Sequence, residues 1–185
     1  MKTTFCLTAV AVCFLPLLSA QSKPSRAANP QGQTRVEREV RHELLMVPQY
    51  GVFDHLAYQV NGETVTLIGS VTRPVTKTNA ENAVKGIEGV EKVDSKITVL
   101  PLFAADNGIR IAVYNAIYGF PALQRYALQA IPSIHIIVNN GNVTLEGVVL
   151  NKGDADMAIL RAKSVPGTFE VKSNLKLDTP AQATK

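Results

Sequence analysis

The chain has 185 residues, of which 46% are hydrophobic and 18% charged, and its formal charge is +4. Those values exclude a disordered polyelectrolyte and a strongly basic nucleic-acid binder, and no nucleic-acid partner is expected. The length bounds the chain to one or two small domains.

At the start, Lys2 precedes an almost unbroken apolar run from Phe5 to Leu18, and Ser19 and Ala20 are small. This is the pattern of a cleavable secretion signal over residues 1–20. The run contains Pro16 and is shorter than the roughly 20 apolar residues that a bilayer-spanning helix needs. A retained anchor is the alternative. Cys6 and Cys13 both lie inside this segment, so the mature chain would hold no disulfide, thiol nucleophile or thiolate-bound metal. The expected location is outside the inner membrane, in the periplasm, with peripheral membrane association as a further option. Residues 21–34, rich in Ser, Pro, Asn, Gln and Gly, have a linker composition, and residues 179–185 resemble a flexible tail.

Between these ends the sequence repeats itself. Val65-Thr-Leu-Ile-Gly-Ser-Val71 matches Val143-Thr-Leu-Glu-Gly-Val-Val149, and the register holds without a gap from Val60–Val99 onto Val138–Leu177. An ungapped match of that length marks an internal duplication. The copies are expected over 35–100 and 106–178.

Each copy opens with a helical period: Val36, Val40, Leu44 and Val47 in the first, and Ile109, Ala112 or Val113, Ala116 and Phe120 in the second. Alternating runs follow, Leu56, Tyr58, Val60 and then Val65, Leu67, Gly69, Val71, with Ile134, Ile136, Val138 and Val143, Leu145, Gly147, Val149 as their counterparts. Asn61-Gly62 and Asn140-Gly141 between the runs predict hairpins, because both residue types tolerate positive φ. A second helix comes next, through Ala80, Ala83, Val84 and Ile87, and its counterpart is read as opening at Asp154, a candidate N-cap. Gly89 and Gly167 suit either a helix C-cap or the turn into the last strand. In that strand Val93, Ser95, Ile97 and Val99 are expected inward, and so are Val171, Ser173, Leu175 and Leu177.

The predicted fold class is α+β: two tandem α-β-β-α-β modules, each a three-stranded mixed sheet packed against two helices. A right-handed β-α-β crossover would set the last strand parallel to the second. Units of this size approach the lower limit for a self-sufficient core, so the two copies are expected to pack on each other. The short connection around Leu102 and Phe103 is too apolar for a floppy tether.

The element order, the Asn-Gly hairpins, the Val-Thr-Leu-x-Gly-x-Val strand and the Gly86-Ile-Glu-Gly-Val-Glu-Lys-Val93 junction resemble the BON domain, named for bacterial osmotic-shock and nodulation proteins. The second copy departs at Ser164-Val-Pro-Gly-Thr-Phe-Glu-Val171, where Thr168 replaces the usual apolar residue. The resemblance implies a non-enzymatic envelope protein, similar to periplasmic stress and outer-membrane-maintenance proteins that bind anionic phospholipid.

No catalytic constellation stands out. His42, His55 and His135 lack convergent ligands, and Ser70 and Ser133 lack a nucleophile elbow. No catalytic residue, cofactor or metal is expected. The informative asymmetry lies in the opening of the second copy, where Arg110, Tyr114, Tyr118, Phe120, Leu123, Arg125 and Tyr126 surround Gly119-Phe-Pro121 without an acidic residue. The first copy places Glu37, Glu39 and Glu43 in the same region. Aromatics and arginines without acids suit anionic headgroups, and lipid-binding relatives of the resembled family use the same helix. Helical aromatics more often pack into a core or against the sister copy, contact with an envelope protein is a third reading, and Pro121 must end or kink the helix. The seven residues are the candidate lipid- or partner-binding set, for an envelope-maintenance or stress-protection role. The alternative is a protein-binding or chaperone-like scaffold.

Overall fold

The structure, a computed structural model, describes the backbone of residues 30–178 and side chains from Arg35 onward. The expected signal segment, most of the linker and the tail lie outside the described residues. Helix α1 (Pro30–Leu45) begins within the stretch read as linker, with proline at its first position, where a fixed φ and a missing N–H cost nothing.

The elements then run β1 (His55–Asn61), β2 (Thr64–Val71), α2 (Pro74–Lys85) and β3 (Lys92–Val99), followed by α3 (Ala104–Tyr118) and a 3-10 turn over Pro121–Ala127. The second module is completed by β4 (Ile134–Asn139), β5 (Asn142–Val149), α4 (Lys152–Lys163) and β6 (Glu170–Leu177). In each module the middle strand is the second one, antiparallel to the first and parallel to the third. The crossover through α2 or α4 produces that parallel pair, so both sheets are mixed as the connection rule requires.

Period-two burial builds the cores. Val65 and Leu67 of β2 are fully buried, and their register partners are Val60 and Tyr58 on one side and Val93 and Ser95 on the other. Val36, Val40 and Leu44 of α1, with Ala80 and Val84 of α2, cover this face. The second core repeats the scheme with Val143 and Leu145 under Ile109, Val113, Ile117, Ala158 and Ala162. Each module is thus a two-layer sandwich. Val99 and Leu177, expected inward, are 37% and 51% exposed at the ends of edge strands.

The glycine inside the repeated strand motif has a steric cause. Gly69 and Gly147 have φ of +138° and +119°, and a Cβ on either would run into the carbonyl of His55 or Ser133 on the neighbouring strand. The hairpins differ between copies. In the second, Asn140 and Gly141 both have positive φ and form the two-residue turn, whereas in the first Asn61 still belongs to β1 and Gly62-Glu63 makes the turn. The Asn-Gly pairs therefore occupy positions one residue apart in the repeat. Gly89 and Gly167, at φ +95° and +87°, lie in the turn before the last strand, and the helix C-caps are Gly86 and Ser164.

The start of α4 corrects one expectation. Its N-cap is Asn151, whose side-chain oxygen accepts the Asp154 amide at 2.9 Å, and the Asp154 carboxylate takes the Asn151 side-chain amide in return. Asp154 is the third helical position, and the reciprocal pair is a capping box closed through the Asn151 side-chain amide in place of its main-chain N–H. Its carboxylate is then free to reach outside the helix.

Candidate functional site

Helix α3 has no side-chain N-cap, and its first-turn acid Asp106 is 2% exposed. Both carboxylate oxygens accept main-chain amides of the β4–β5 turn, from Asn140 and Gly141, each at 2.8 Å. One acid thus fixes the hairpin tip to the positive end of the helix. Arg110, one turn on, is 1% exposed and donates to the Val138 carbonyl at 2.9 Å. Burial lowers its pKa, opposed by the carboxylates of Asp106 and Asp54; a guanidinium keeps its proton regardless.

The aromatic residues turn inward. Tyr118 is 6% exposed and its hydroxyl donates to the Ile134 carbonyl at 2.5 Å, with burial pushing its pKa up. Gly119 caps the helix and Pro121 starts the 3-10 turn, which folds back so that Leu123 and Tyr126 also enter the core. The Tyr126 hydroxyl donates to Asp154 and accepts the Leu150 amide at 2.9 Å, while Arg125 pairs with the same carboxylate. Tyr114 is half-buried between the rings of Phe53 and Tyr118. Phe120, also half-buried, lies 4.1 Å beneath the Arg161 guanidinium.

The seven residues of the candidate set therefore belong to one region but divide by depth. Arg110, Tyr118, Leu123 and Tyr126 are buried, Tyr114 and Phe120 are half-buried, and the exposed Arg125 is already paired. The outer face of α3 is made by different residues: Ala104, Ala105, Asn107, Gly108, Ile111 and Asn115, none of them charged. In α1 the corresponding face carries Arg35, Glu37, Arg38 and Arg41.

Next to the start of α3, Leu102 and Phe103 are 71% and 55% exposed, and Phe169, beyond α4, is 82% exposed. An open groove of about 600 Å³ runs between Phe103, Ile109, Pro166 and Phe169, with Gly108 and Gly141 also lining it. The signal for this surface was present in the sequence: the positions on the side of the helix away from Ile109, Val113 and Ile117, namely Asn107, Ile111 and Asn115, carry no charge. It was masked by the more conspicuous aromatic residues, of which α3 itself buries Tyr118 and the 3-10 turn carries Tyr126 inside.

The two modules meet at a second cluster, formed by the segment before β1. The Val52 carbonyl accepts the Ile136 amide of β4 at 2.8 Å, and Phe53 packs edge-on against Tyr114. Tyr50 stacks on His135, and His135 meets His55 at 5.8 Å between ring centroids. His55 Nε2 lies 3.8 Å from Glu146 of β5. Burial raises the Tyr50 hydroxyl to about 12. It lowers both histidines: for His55 Glu146 opposes and Lys176 reinforces the shift, and for His135 the charge of His55 reinforces it while main-chain groups of Gly51 and Asp54 and the Asp54 charge oppose it. Among the described residues no three His, Cys, Asp or Glu side chains converge on a metal-binding arrangement. No helix among them is long and apolar enough to cross a membrane.

No curated protein matches the chain. Two solved structures of CdsD, a structural protein of the type III secretion system of Chlamydia trachomatis, are similar at 15% identity. One, its C-terminal domain, has a TM-score of 0.27 over 76% of this chain and 96% of that one, and the other 0.29 over 77% and 92%. The sequence model of the BON domain matches residues 33–101 and 122–179. In the second module that match starts after α3, the helix in which the copies differ most. With both modules matched over more than half of its length, the chain belongs to the BON domain family.

Proposed function

We propose that this protein associates with phospholipid surfaces of the bacterial envelope through the outer face of α3 and the apolar rim formed by Leu102, Phe103 and Phe169. Membership of the BON family supports an envelope-associated, non-enzymatic role in general terms. The carrying observation is the charge-free outer face of α3, continuous with exposed phenylalanines, in a chain whose other opening helix is densely charged. A face of this kind loses little by leaving water for the headgroup boundary, where Phe and Leu gain by burial.

Arg110 and Arg125 are engaged within the protein, so headgroup attraction falls to the remaining basic surface at about 1 kcal/mol per residue. Apolar contact should dominate. From the seven candidate residues, Arg125 and the half-buried Tyr114 and Phe120 remain the side chains with surface to contribute.

Vesicle flotation tests this reading, with phosphatidylcholine alone and mixed with phosphatidylglycerol. Ile111→Glu and Phe103→Glu should each reduce the bound fraction about tenfold, the cost of about 1.4 kcal/mol for placing a charge at the contact. Raising salt to a physiological level should weaken binding by less than that. Unchanged flotation of both variants would refute the surface. The second reading, a protein-binding scaffold, draws on the exposed edge strand β6; partners captured equally well by both variants would favour it.

A further inference from the structure

The segment Tyr50–His55 belongs to the first module but reaches the second, and its last side chain ends in a small, mostly polar cluster. Two imidazoles, from His55 of β1 and His135 of β4, meet edge to face there. His135 is 8% exposed and the His55 side chain 23%. The Nδ1 atom of each is buried without a hydrogen-bond partner.

The charged and titratable neighbours come from every element around them. Glu146 of β5 and Lys176 of β6 face His55; Asp54 faces His135; Tyr50 stacks on it; Arg110 of α3 interacts electrostatically with Asp54. The Asp54 carboxylate is committed to the Thr72 amide at 2.6 Å, the Thr72 hydroxyl at 2.9 Å and the Gly51 amide at 3.2 Å. Glu146, whose other oxygen accepts the Asn174 side-chain amide, is thus the carboxylate in ion-pair reach of His55, with Lys176 nearby. A first proton can be shared with Glu146. A second creates like charges across a ring-to-ring contact in a site with little water.

We propose that His55 and His135 form an acid-sensitive latch, which holds the two modules together while both imidazoles are neutral and releases the Tyr50–His55 segment from β4 when they take up protons. Release would break the Val52–Ile136 hydrogen bond and uncover Phe53 and Tyr114. The sign follows from burial, which sets both histidines below their ordinary value of about 6.5 in the closed state. The open state then binds more protons. Closure is fully favoured above about pH 6.5 and is lost as pH falls through that value toward the lowered pKa of each ring.

Amide hydrogen exchange on the full chain reads the latch directly. The Ile136 amide, bonded to Val52, reports the junction, and the Leu145 amide in the centre of the second sheet is the control. After correction for intrinsic exchange, between pH 7.5 and 5.0 Ile136 should open up to about 30-fold more for each histidine that stays neutral when closed, and up to about 1,000-fold for both. Leu145 should respond far less. In the double variant His55→Gln, His135→Asn the Ile136 response should disappear.

A pH-independent Ile136 amide in the native chain, or an acid response that survives in the double variant, would overturn the proposal. If the double variant does not fold, NMR titration of the two rings in the native chain decides. Values below about 6.5 for both support the latch, and values at or above it defeat it.

Discussion

At Tyr126 a single phenol oxygen accepts the amide that follows β5 and donates to the acid of the α4 capping box. Tyr126→Phe keeps the ring but leaves the Leu150 amide and one Asp154 lone pair without this partner, and should cost about 1 kcal/mol. Asp154→Ala also removes the return bond to Asn151, so its loss should reach about 2–3 kcal/mol. The midpoint of urea unfolding distinguishes the two. Gly147 presents a different constraint, because the obstacle is a neighbouring carbonyl rather than a missing bond. Gly147→Ala should cost about 2 kcal/mol or more, from positive φ and the collision together. A cost under about 0.5 kcal/mol would mean that the strand shifts freely to accept the methyl group.

Among the elements, α3 does the most varied work: it supplies a core stripe, a staple to the hairpin through Asp106, and an uncharged outer face. Asp106→Ala strands two amides of a tight turn, and should cost about 2–3 kcal/mol while raising exchange at Asn140 and Gly141. Helices and strands with a clean period were legible from sequence, as Val36, Val40 and Leu44 or Val65, Leu67 and Val71 show. The parallel last strand followed from connection handedness alone. Positions that depend on one atom's partner were not legible: Asp154 was read as the cap when Asn151 holds that place, and Asn61 ends a strand where Asn140 makes a turn. The depth of Tyr118 and Tyr126 was hidden for a related reason. A helical period gives the angle between side chains, but the packing partner decides which side is inside: here β4 for Tyr118, and for Tyr126 the fold-back of the 3-10 turn that Pro121 starts.

At the scale of the molecule, the modules share hydrogen bonds and ring contacts, and Phe53 and Val52 of the first pack against the core of the second. The full chain at neutral pH should therefore unfold in one calorimetric transition. Phe53→Ala should separate it into two, with the second module losing about 2 kcal/mol; one undivided transition at an unchanged temperature would show that the junction carries no coupling.

That junction also bears on assembly. A contact between unlike surfaces of two homologous units can in principle be repeated end to end, with each new unit docking as the last one did. Here the repeat has lost the means: where the first module presents Asp54 and His55 the second has Pro132 and Ser133, and where the second offers His135 and Glu146 the first has Ala57 and Ile68. Neither free end matches what it would have to meet, so the duplication yields a self-terminating pair rather than the seed of a filament.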